Sequence, residues 1–308
     1  MSTIPKKWFD AKGIDPAGFL LYNEPLAKHT YYRIGGPAAV IATPQDQKDL
    51  YVLSNYINET GSRFFILGAG SNVLASDQGF DGLIIKTLKL NPDIKKGENI
   101  LVVGASVSVS TLLRRAVQEG WGGLEFLTGI PGTVGGVIRM NAGTHLGEAR
   151  DHLSKVTAFD LLKPDAGLLE FEGPSLKMEY RKNLFLPTSA VVLSTEWTIR
   201  LETPAKVKEI VDSTLTRRKA TQPIDYPSCG SVFKNPKASG LSSWQVIDKL
   251  GLRGHKIGNA QYSEKHCNFI LNLGGATSVD VKSLIDLAQN RAKSELNIDL
   301  ECEVLFIR

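Results

Sequence analysis

Cysteine is scarce: Cys229, Cys267 and Cys302 are the only three in 308 residues, far apart and never at metal-ligand spacing. That excludes a disulfide framework and gives no zinc-site signature, so the three read as reduced thiols and no metal is expected. Long apolar runs are missing as well. Nothing approaches the roughly 18 consecutive apolar residues of a membrane span, and Met1-Ser-Thr-Ile-Pro-Lys-Lys-Trp8 lacks the apolar centre of a secretion signal. Both absences predict a cytoplasmic protein without a membrane partner. Charge of one sign does not dominate either: 36 Lys and Arg face 32 Asp and Glu, and the basic residues are scattered, not gathered into a tail or stripe. Nucleic acid is therefore not an expected partner. A mild positive surplus suits an anionic nucleotide equally well, and it also suits no partner at all.

What is present is ordinary globular material, with 42% hydrophobic and 22% charged residues, in a chain long enough for two or three domains. Thr43-Pro44 reads as a helix start, followed by an apolar stripe of Leu50, Leu53 and Ile57 up to Gly61. Ser110 to Gly120 gives a second helix. Thr203-Pro204 opens a third, carried by Val207, Ile210, Val211 and Leu215 into Arg217-Arg218-Lys219. A fourth follows Thr277-Ser278, with Val281, Leu284, Ile285, Ala288 and Ala292 inward. Strands are predicted at residues 39–42, 64–67, 83–86, 100–103, 156–161, 190–199, 269–272 and 302–307. Because several successive strands have no helix between them, the class is α+β and not a series of βαβ units. Neither an internal repeat nor a low-complexity segment is visible, and a break is expected near residues 200–205.

The 29 glycines are unevenly spread, crowding into Ile34-Gly35-Gly36, Leu67-Gly68-Ala69-Gly70-Ser71-Asn72 and the stretch Gly122 to Gly147. The loop Gly68 to Asn72 follows an apolar strand, and its small residues leave successive backbone N–H groups able to point at one anion such as a diphosphate. A plain tight turn explains it equally. It is not the dinucleotide fingerprint, which would carry a third glycine and run straight into a helix. The segment Gly123 to Gly143 is read as non-helical because of Gly129, Pro131, Gly132, Gly135 and Gly136, yet it is interleaved with Phe126, Leu127, Ile130, Val134, Val137 and Ile138, which a solvated linker would not carry. Either a buried glycine-rich turn or a backbone wall against a large planar cofactor accounts for it.

Together, Tyr32-Arg33-Ile34-Gly35-Gly36, the loop Gly68 to Asn72, Gly129-Ile130-Pro131-Gly132-Thr133-Val134-Gly135-Gly136 and Met140-Asn141-Ala142-Gly143 resemble the FAD-binding half of the UDP-N-acetylenolpyruvoylglucosamine reductase (MurB) family. The likeness runs from about residue 25 to the C-terminus. It implies an α+β FAD-binding fold of the vanillyl-alcohol oxidase (PCMH) type: subdomains at 1–88 and 89–202, then a smaller α+β substrate-binding domain at 203–308. It places FAD against Arg33, Gly68, Ala69, Gly70, Ser71, Asn72, Thr128, Gly129, Ile130, Pro131, Gly132, Thr133, Gly135, Gly136, Asn141 and Gly143. The implied activity is NADPH-dependent reduction, through FAD, of UDP-N-acetylglucosamine enolpyruvate to UDP-N-acetylmuramate, a step in peptidoglycan precursor synthesis. A monomer is expected.

Three further matches carry the chemistry. Gly230-Ser231-Val232-Phe233-Lys234-Asn235-Pro236 resembles the family signature whose serine is the proton donor, although read alone Ser231 is only a serine at a strand start. Tyr180-Arg181 resembles the family's Tyr-Arg pair, and Glu303-Val304 its Glu-Val pair in the last strand. The resemblance gives Arg181 and Glu303 the task of holding the enolate that hydride transfer creates. Tyr180, Arg218, Lys219 and Asn235 are implied against the UDP-sugar, with Arg217 beside them. The alternative for that basic cluster is complementing a helix dipole.

Two departures stand out: Asn183 replaces a serine that many relatives carry two residues after the arginine, and the fifty-residue gap between Arg181 and Ser231 has no room for the longer variant's tyrosine loop. Cys229 reads as a buried thiol and not a nucleophile, since no partnered base is apparent. The rival readings are an FAD oxidase of the same superfamily, a non-catalytic flavin- or UDP-sugar-binding module, and a hydrolase built on Cys229 with His255 or His266.

Overall fold

The computed structural model describes residues 4–12, 19–237 and 239–308. They fall into two units, the first made of residues 1–21, 40–69 and 82–217, the second of 22–39, 70–81 and 218–308.

In the first unit, helix α1 (Ile4–Ala11) carries the fully buried Phe9, whose ring stacks on Tyr56 at a centroid distance of 5.3 Å. Tyr56 belongs to α2 (Gln47–Thr60), in which Leu50, Leu53 and Ile57 are buried as their spacing predicts. The helix starts later than Thr43-Pro44 suggests. Asp46 is its N-cap, accepting from the Asp49 amide at 3.0 Å, because a carboxylate placed there satisfies a first-turn N–H that Thr43 is too far back to reach. Gly61 closes it at φ 65°. Strand Phe64–Leu67 then pairs in parallel with Phe80–Lys86, Phe64 opposite Leu83 and Leu67 opposite Lys86.

Helix α3 (Val109–Glu119) is capped by Ser108 and ends at Gly120. Helix α4 (Val134–Met140) corrects the expectation that the glycine-rich segment is not helical. Only Gly135 and Gly136 lie inside it, and each costs about 1 kcal/mol relative to alanine, but a Cβ on Gly135 would stand 3.2 Å from the Ala105 Cβ. Close packing therefore favours the residue that propensity disfavours. Thr133 caps the start, accepting from Gly136 N–H at 3.4 Å, and Asn141 closes the end in the left-handed conformation.

A five-stranded antiparallel sheet, in the order Leu168–Glu172, Leu153–Asp160, Ala190–Thr198, Ile100–Gly104 and Ile94–Lys96, backs these helices. Val156 sits opposite both Phe171 and Thr195, and Thr195 opposite Val103. Trp121 and Trp197 are buried in the core with Leu101, Val103, Phe126 and Val156. The Trp197 indole donates to Thr195 Oγ1 at 2.6 Å, and that hydroxyl donates to Val103 O at 3.1 Å, so this polar group in the sheet is satisfied. Helix α5 (Pro204–Thr221) begins where Thr203-Pro204 predicts, with Val207 and Val211 inward. Its third buried residue is Thr214, not Leu215, which is exposed: the step from 207 to 214 keeps the helical period and 215 overshoots it.

In the second unit, α6 (Ser243–Lys249) and α7 (Ser278–Leu296) pack around Tyr262, Ile270 and Leu300. All five inward residues predicted for α7 are buried, and Thr277 with Asp280 forms a capping box at its start. Lys256–Ile257, Ala260–Tyr262 and Ile270–Asn272 make a small antiparallel sheet. The predicted strand 302–307 is regular only over Leu305–Ile307, which pairs in parallel with Val73–Ala75. Among the described residues no helix is long and apolar enough to cross a membrane.

Candidate active site

A diphosphate and a flavin ring need amide donors that the fold has not used and backbone free of side chains. The first unit supplies both. In the turn ahead of α4, Val109 N–H donates to Gly132 O and Val134 N–H to Val107 O, pinning the chain, while the amides of Gly129, Gly132 and Thr133 donate to nothing among the described residues. The Thr128 hydroxyl is fully buried and has no partner among the described residues, and the same holds for the Ser106 hydroxyl. Gly68 faces Thr133 so closely that a Cβ would stand 3.0 Å from its Oγ1. Buried polar groups normally find partners, so these residues fit FAD: Thr128, Gly129, Gly132 and Thr133 would offer hydrogen bonds, and Gly68 and Gly136 clearance. Ile130 packs against the core of this unit, and Pro131 is exposed beside them.

Asn141 and Gly143 stand differently. The Asn141 side chain is buried and committed: Nδ2 donates to Glu148 Oε2 at 3.0 Å and to Glu179 O at 2.8 Å, and Oδ1 accepts from Arg150 N–H at 3.1 Å. Gly143 lies opposite Glu148 in a short hairpin, where a Cβ would come within 2.3 Å of Gly147 O.

Arg181 is the second residue of a two-residue turn joining Met178–Glu179 to Lys182–Asn183. Its φ of 52° is the left-handed conformation that such a turn usually fills with glycine; holding arginine there costs of order 1–3 kcal/mol and points to function. The guanidinium donates from Nη2 to Gly143 O at 3.0 Å, places Nη1 3.6 Å from Glu148 Oε1, and lies over the Tyr180 ring at 4.8 Å. Asn183, the departure from the family's serine, braces this turn: Oδ1 accepts from the Phe185 and Leu186 amides and Nδ2 donates to Ile138 O.

In the second unit, Ser231 follows Gly230 (φ 80°) and leads into a segment that Asn268 and the last stretch of chain hold from two sides. Phe233 bridges Cys302, Glu303 N–H donates to Val232 O at 2.8 Å, and Lys234 N–H to Glu301 O at 2.9 Å. Ser231 and Glu303 therefore lie on adjacent antiparallel segments, within one residue of register. The Ser231 hydroxyl is half-buried and bonds to nothing among the described residues. Asn72 Nδ2 donates to Glu303 O, so the end of the glycine loop is tied to the same segment. Gly70 is locked by its neighbours, its carbonyl accepting from Tyr31 N–H at 2.9 Å and its backbone leaving no room for a Cβ, which would stand 2.2 Å from His29 O. Arg33 is exposed in the turn Thr30–Arg33 at φ 56°.

Of the residues expected against UDP, Asn235 gives its Oδ1 to Ser243 N–H at 2.9 Å and to Ser243 Oγ at 3.1 Å, keeping Nδ2 unclaimed among the described residues. Arg218 sits in the last turn of α5, half-buried, with no ion pair among the described residues; burial pulls its guanidinium below its ordinary value. Lys219 beside it is exposed. Cys229 is buried, and burial, reinforced by the Glu303 carboxylate, pushes its thiol up to about 12. That is no nucleophile at neutral pH.

Two residues escape the sequence reading. Glu148 contacts Arg181, and its only local signal is the spacing of Asn141, Gly143 and Gly147 around it. Asn268, which holds the Ser231 segment, has none, because its partners are 35 residues away.

Residues 37–171, which contain the unclaimed amides of the first unit, match the profile described as an FAD binding domain. The chain is thus an FAD-dependent oxidoreductase with an α+β fold. Residues 222–307, which contain Ser231 and Glu303, match the profile described as UDP-N-acetylenolpyruvoylglucosamine reductase, C-terminal domain. Curated proteins named UDP-N-acetylenolpyruvoylglucosamine reductase from Heliobacterium modesticaldum and Moorella thermoacetica are 36% and 38% identical over 95% and 92% of this chain, and 92% of each relative is covered. The crystal structure of UDP-N-acetylenolpyruvylglucosamine reductase from Thermus caldophilus aligns with a TM-score of 0.78 and 31% identity, over 94% of this chain and 98% of that one. The chain belongs to the UDP-N-acetylenolpyruvoylglucosamine reductase family.

Proposed function

We infer that the protein reduces UDP-N-acetylglucosamine enolpyruvate to UDP-N-acetylmuramate with electrons from NADPH, in the synthesis of peptidoglycan precursors. The observation that carries this reading is Ser231: a half-buried hydroxyl with no partner among the described residues, on a segment paired directly with that of Glu303. A non-catalytic binding module has no need of either.

Bound in the first unit and reduced by NADPH, FAD would supply the hydride that the terminal carbon of the enolpyruvyl group requires. The neighbouring carbon and its carboxylate then carry the negative charge of an enolate. Arg181 meets that charge with a forked, permanently cationic donor, which suits a carboxylate better than a lysine would. Glu303 completes the polar environment at the reacting carbon. Ser231 gives its proton to that carbon and regains one from solvent, so that a hydride and a proton add across the double bond. A serine hydroxyl is a weak acid, and its use depends on a strongly basic intermediate and on close alignment.

Asn235, Arg218 and Lys219, with Tyr180, bind the UDP-sugar. Asn235 is suited to it by its unclaimed amide N–H groups and Arg218 by the absence of a carboxylate partner among the described residues. Segments 1–88 and 89–202 serve as FAD-binding subdomains and 203–308 as the substrate-binding domain. The enzyme works as a monomer in the cytoplasm. The test is direct: the purified protein is yellow and consumes NADPH in proportion to added UDP-N-acetylglucosamine enolpyruvate. Colourless protein, or NADPH oxidation that depends on oxygen and ignores that substrate, overturns the reading.

A further inference from the structure

The guanidinium of Arg181 is held by a small hairpin that no catalytic role yet explains. Gly143–Thr144 pairs with Gly147–Glu148, and Glu148 lies directly opposite Gly143. Arg181 reads both residues of that pair, donating to the Gly143 carbonyl at 3.0 Å and facing Glu148 Oε1 at 3.6 Å. The other carboxylate oxygen is fixed independently, by Asn141 Nδ2 at 3.0 Å and Arg150 Nε at 3.1 Å. The Glu148 amide is tied as well, donating to Asp151 Oδ2 at 2.8 Å.

The direction of this support matters. Asn141 sits at the end of α4, fully buried, and binds both Glu148 and the carbonyl of Glu179, the residue just ahead of the Tyr180-Arg181 turn. One asparagine thus sets the distance between the hairpin that carries Glu148 and the hairpin that carries Arg181. Both ionic side chains are mostly shielded, 17% exposed for Arg181 and 15% for Glu148, so their attraction is screened far less than that of a surface pair.

We propose that Glu148 is a positioning residue for catalysis: fixed by Asn141 and Arg150, it orients the Arg181 guanidinium so that the fork meets the enolate as charge develops. This rests on the role given to Arg181 above. An arginine on a strained left-handed turn, with a long flexible side chain, needs such a guide to be pre-organised, and pre-organised donors are what stabilise developing charge. Glu148 touches neither hydride nor proton in this scheme. Its effect belongs to the half-reaction with the enolpyruvyl substrate alone.

The test compares E148Q, R181A and the double variant as flavin-loaded proteins. Flavin reduction by NADPH and reoxidation by substrate are each followed in single turnovers, and substrate affinity for the oxidised protein is measured by calorimetry. E148Q, which keeps shape and one hydrogen-bonding oxygen, is expected to slow reoxidation about 10- to 100-fold while leaving flavin reduction and melting temperature unchanged and the dissociation constant within roughly threefold. In the R181A background the same change costs nothing further, because there is no guanidinium left to orient.

Wild-type reoxidation in E148Q beside a large loss in R181A overturns the inference alone. Independent, multiplying losses do the same, as does an equal slowing of both half-reactions. Undiminished reoxidation in R181A removes the role of Arg181 and this inference with it. Should E148Q lose flavin, E148D decides: recovery of both flavin content and reoxidation upholds a placed carboxylate, and recovery of flavin without rate reduces Glu148 to a structural group.

Discussion

Asn268 brackets the peptide of Phe233, donating from Nδ2 to its carbonyl at 2.9 Å and accepting from its amide at Oδ1 at 3.1 Å. The same Nδ2 donates to Ser243 Oγ at 2.8 Å, and Ser243 in turn donates to Asn235. One buried amide therefore ties the segment bearing Ser231 to the start of α6 and, through Ser243, to Asn235. The pairing imitates a neighbouring strand, with geometry on both sides of Phe233 that backbone alone would otherwise provide.

Replacing Asn268 by alanine leaves the Phe233 amide and carbonyl unsatisfied in a buried place. The expected cost is about 2–4 kcal/mol, from two such groups at 1–3 kcal/mol each with partial recovery by relaxation, read as a lower denaturation midpoint in urea. Turnover falls alongside, since Ser231 lies two residues from the lost contact. A variant with an unchanged midpoint shows that the second unit does not depend on this clamp.

Ser231→Ala removes the proposed acid while leaving the backbone pairing of Val232 and Phe233 intact. Turnover is expected to fall on the order of 10²- to 10⁴-fold, the usual worth of a positioned acid. Flavin reduction by NADPH proceeds at the normal rate, because that step needs no proton from Ser231. Rapid-mixing absorbance of the flavin separates the two, and an equal collapse of both removes the serine from this role.

The glycine loop offers a contrast between two neighbours. An alanine at 68 brings a Cβ to 3.0 Å from the Thr133 hydroxyl, which is tight but can rotate, whereas one at 70 comes to 2.2 Å from the His29 carbonyl and also demands φ 74°. Gly68→Ala is expected to keep its melting temperature and lose flavin content. Gly70→Ala loses stability by about 1–3 kcal/mol or more, as backbone strain of that kind does. Flavin absorbance and thermal melts read the two effects apart, and equal behaviour of the variants removes the distinction between a ligand-facing and a fold-facing glycine.

How far these features were legible depends on the range of the interactions that make them. The α7 start was plain because Thr277 and Asp280 cap each other three residues apart. The stripe Leu50, Leu53 and Ile57 was plain because one face of one helix is local. Helix α4 was missed because Gly135 weakens the local signal, and the reason for glycine, the approach to Ala105, lies thirty residues back in the chain. Helix α6 hides behind Ser242 and Gln245, a capping box without a long apolar stripe after it. Ser231, Arg181 and Glu303 stand out in the sequence through family resemblance and not through their surroundings. What the structure adds are their supports, Asn268, Glu148 and Asn183, each of which acts on residues far away in sequence.

The thiols make the fold sensitive to alkali. Burial pushes Cys229 up to about 12 and Cys302 to about 11, from an ordinary value of 9.0, and raises Cys267 as well. A group that holds its proton more tightly when folded contributes stability that is fully present below its unfolded pKa and is lost as pH rises towards its folded one. Folding is therefore expected to weaken from about pH 9 upward, and the loss for Cys229 is complete only near 12. Carboxylates with lowered values, such as Asp280 at the α7 cap, act at the acidic end and leave this window untouched. Cys229→Ala should flatten the fall of the urea midpoint above pH 9 without abolishing it, since Cys302 and Cys267 still contribute. The same burial keeps Cys229 unmodified by thiol reagents at neutral pH until the protein is denatured. Rapid labelling of Cys229 in the native enzyme, or a midpoint that is flat with pH in both proteins, contradicts this account of the second unit's interior.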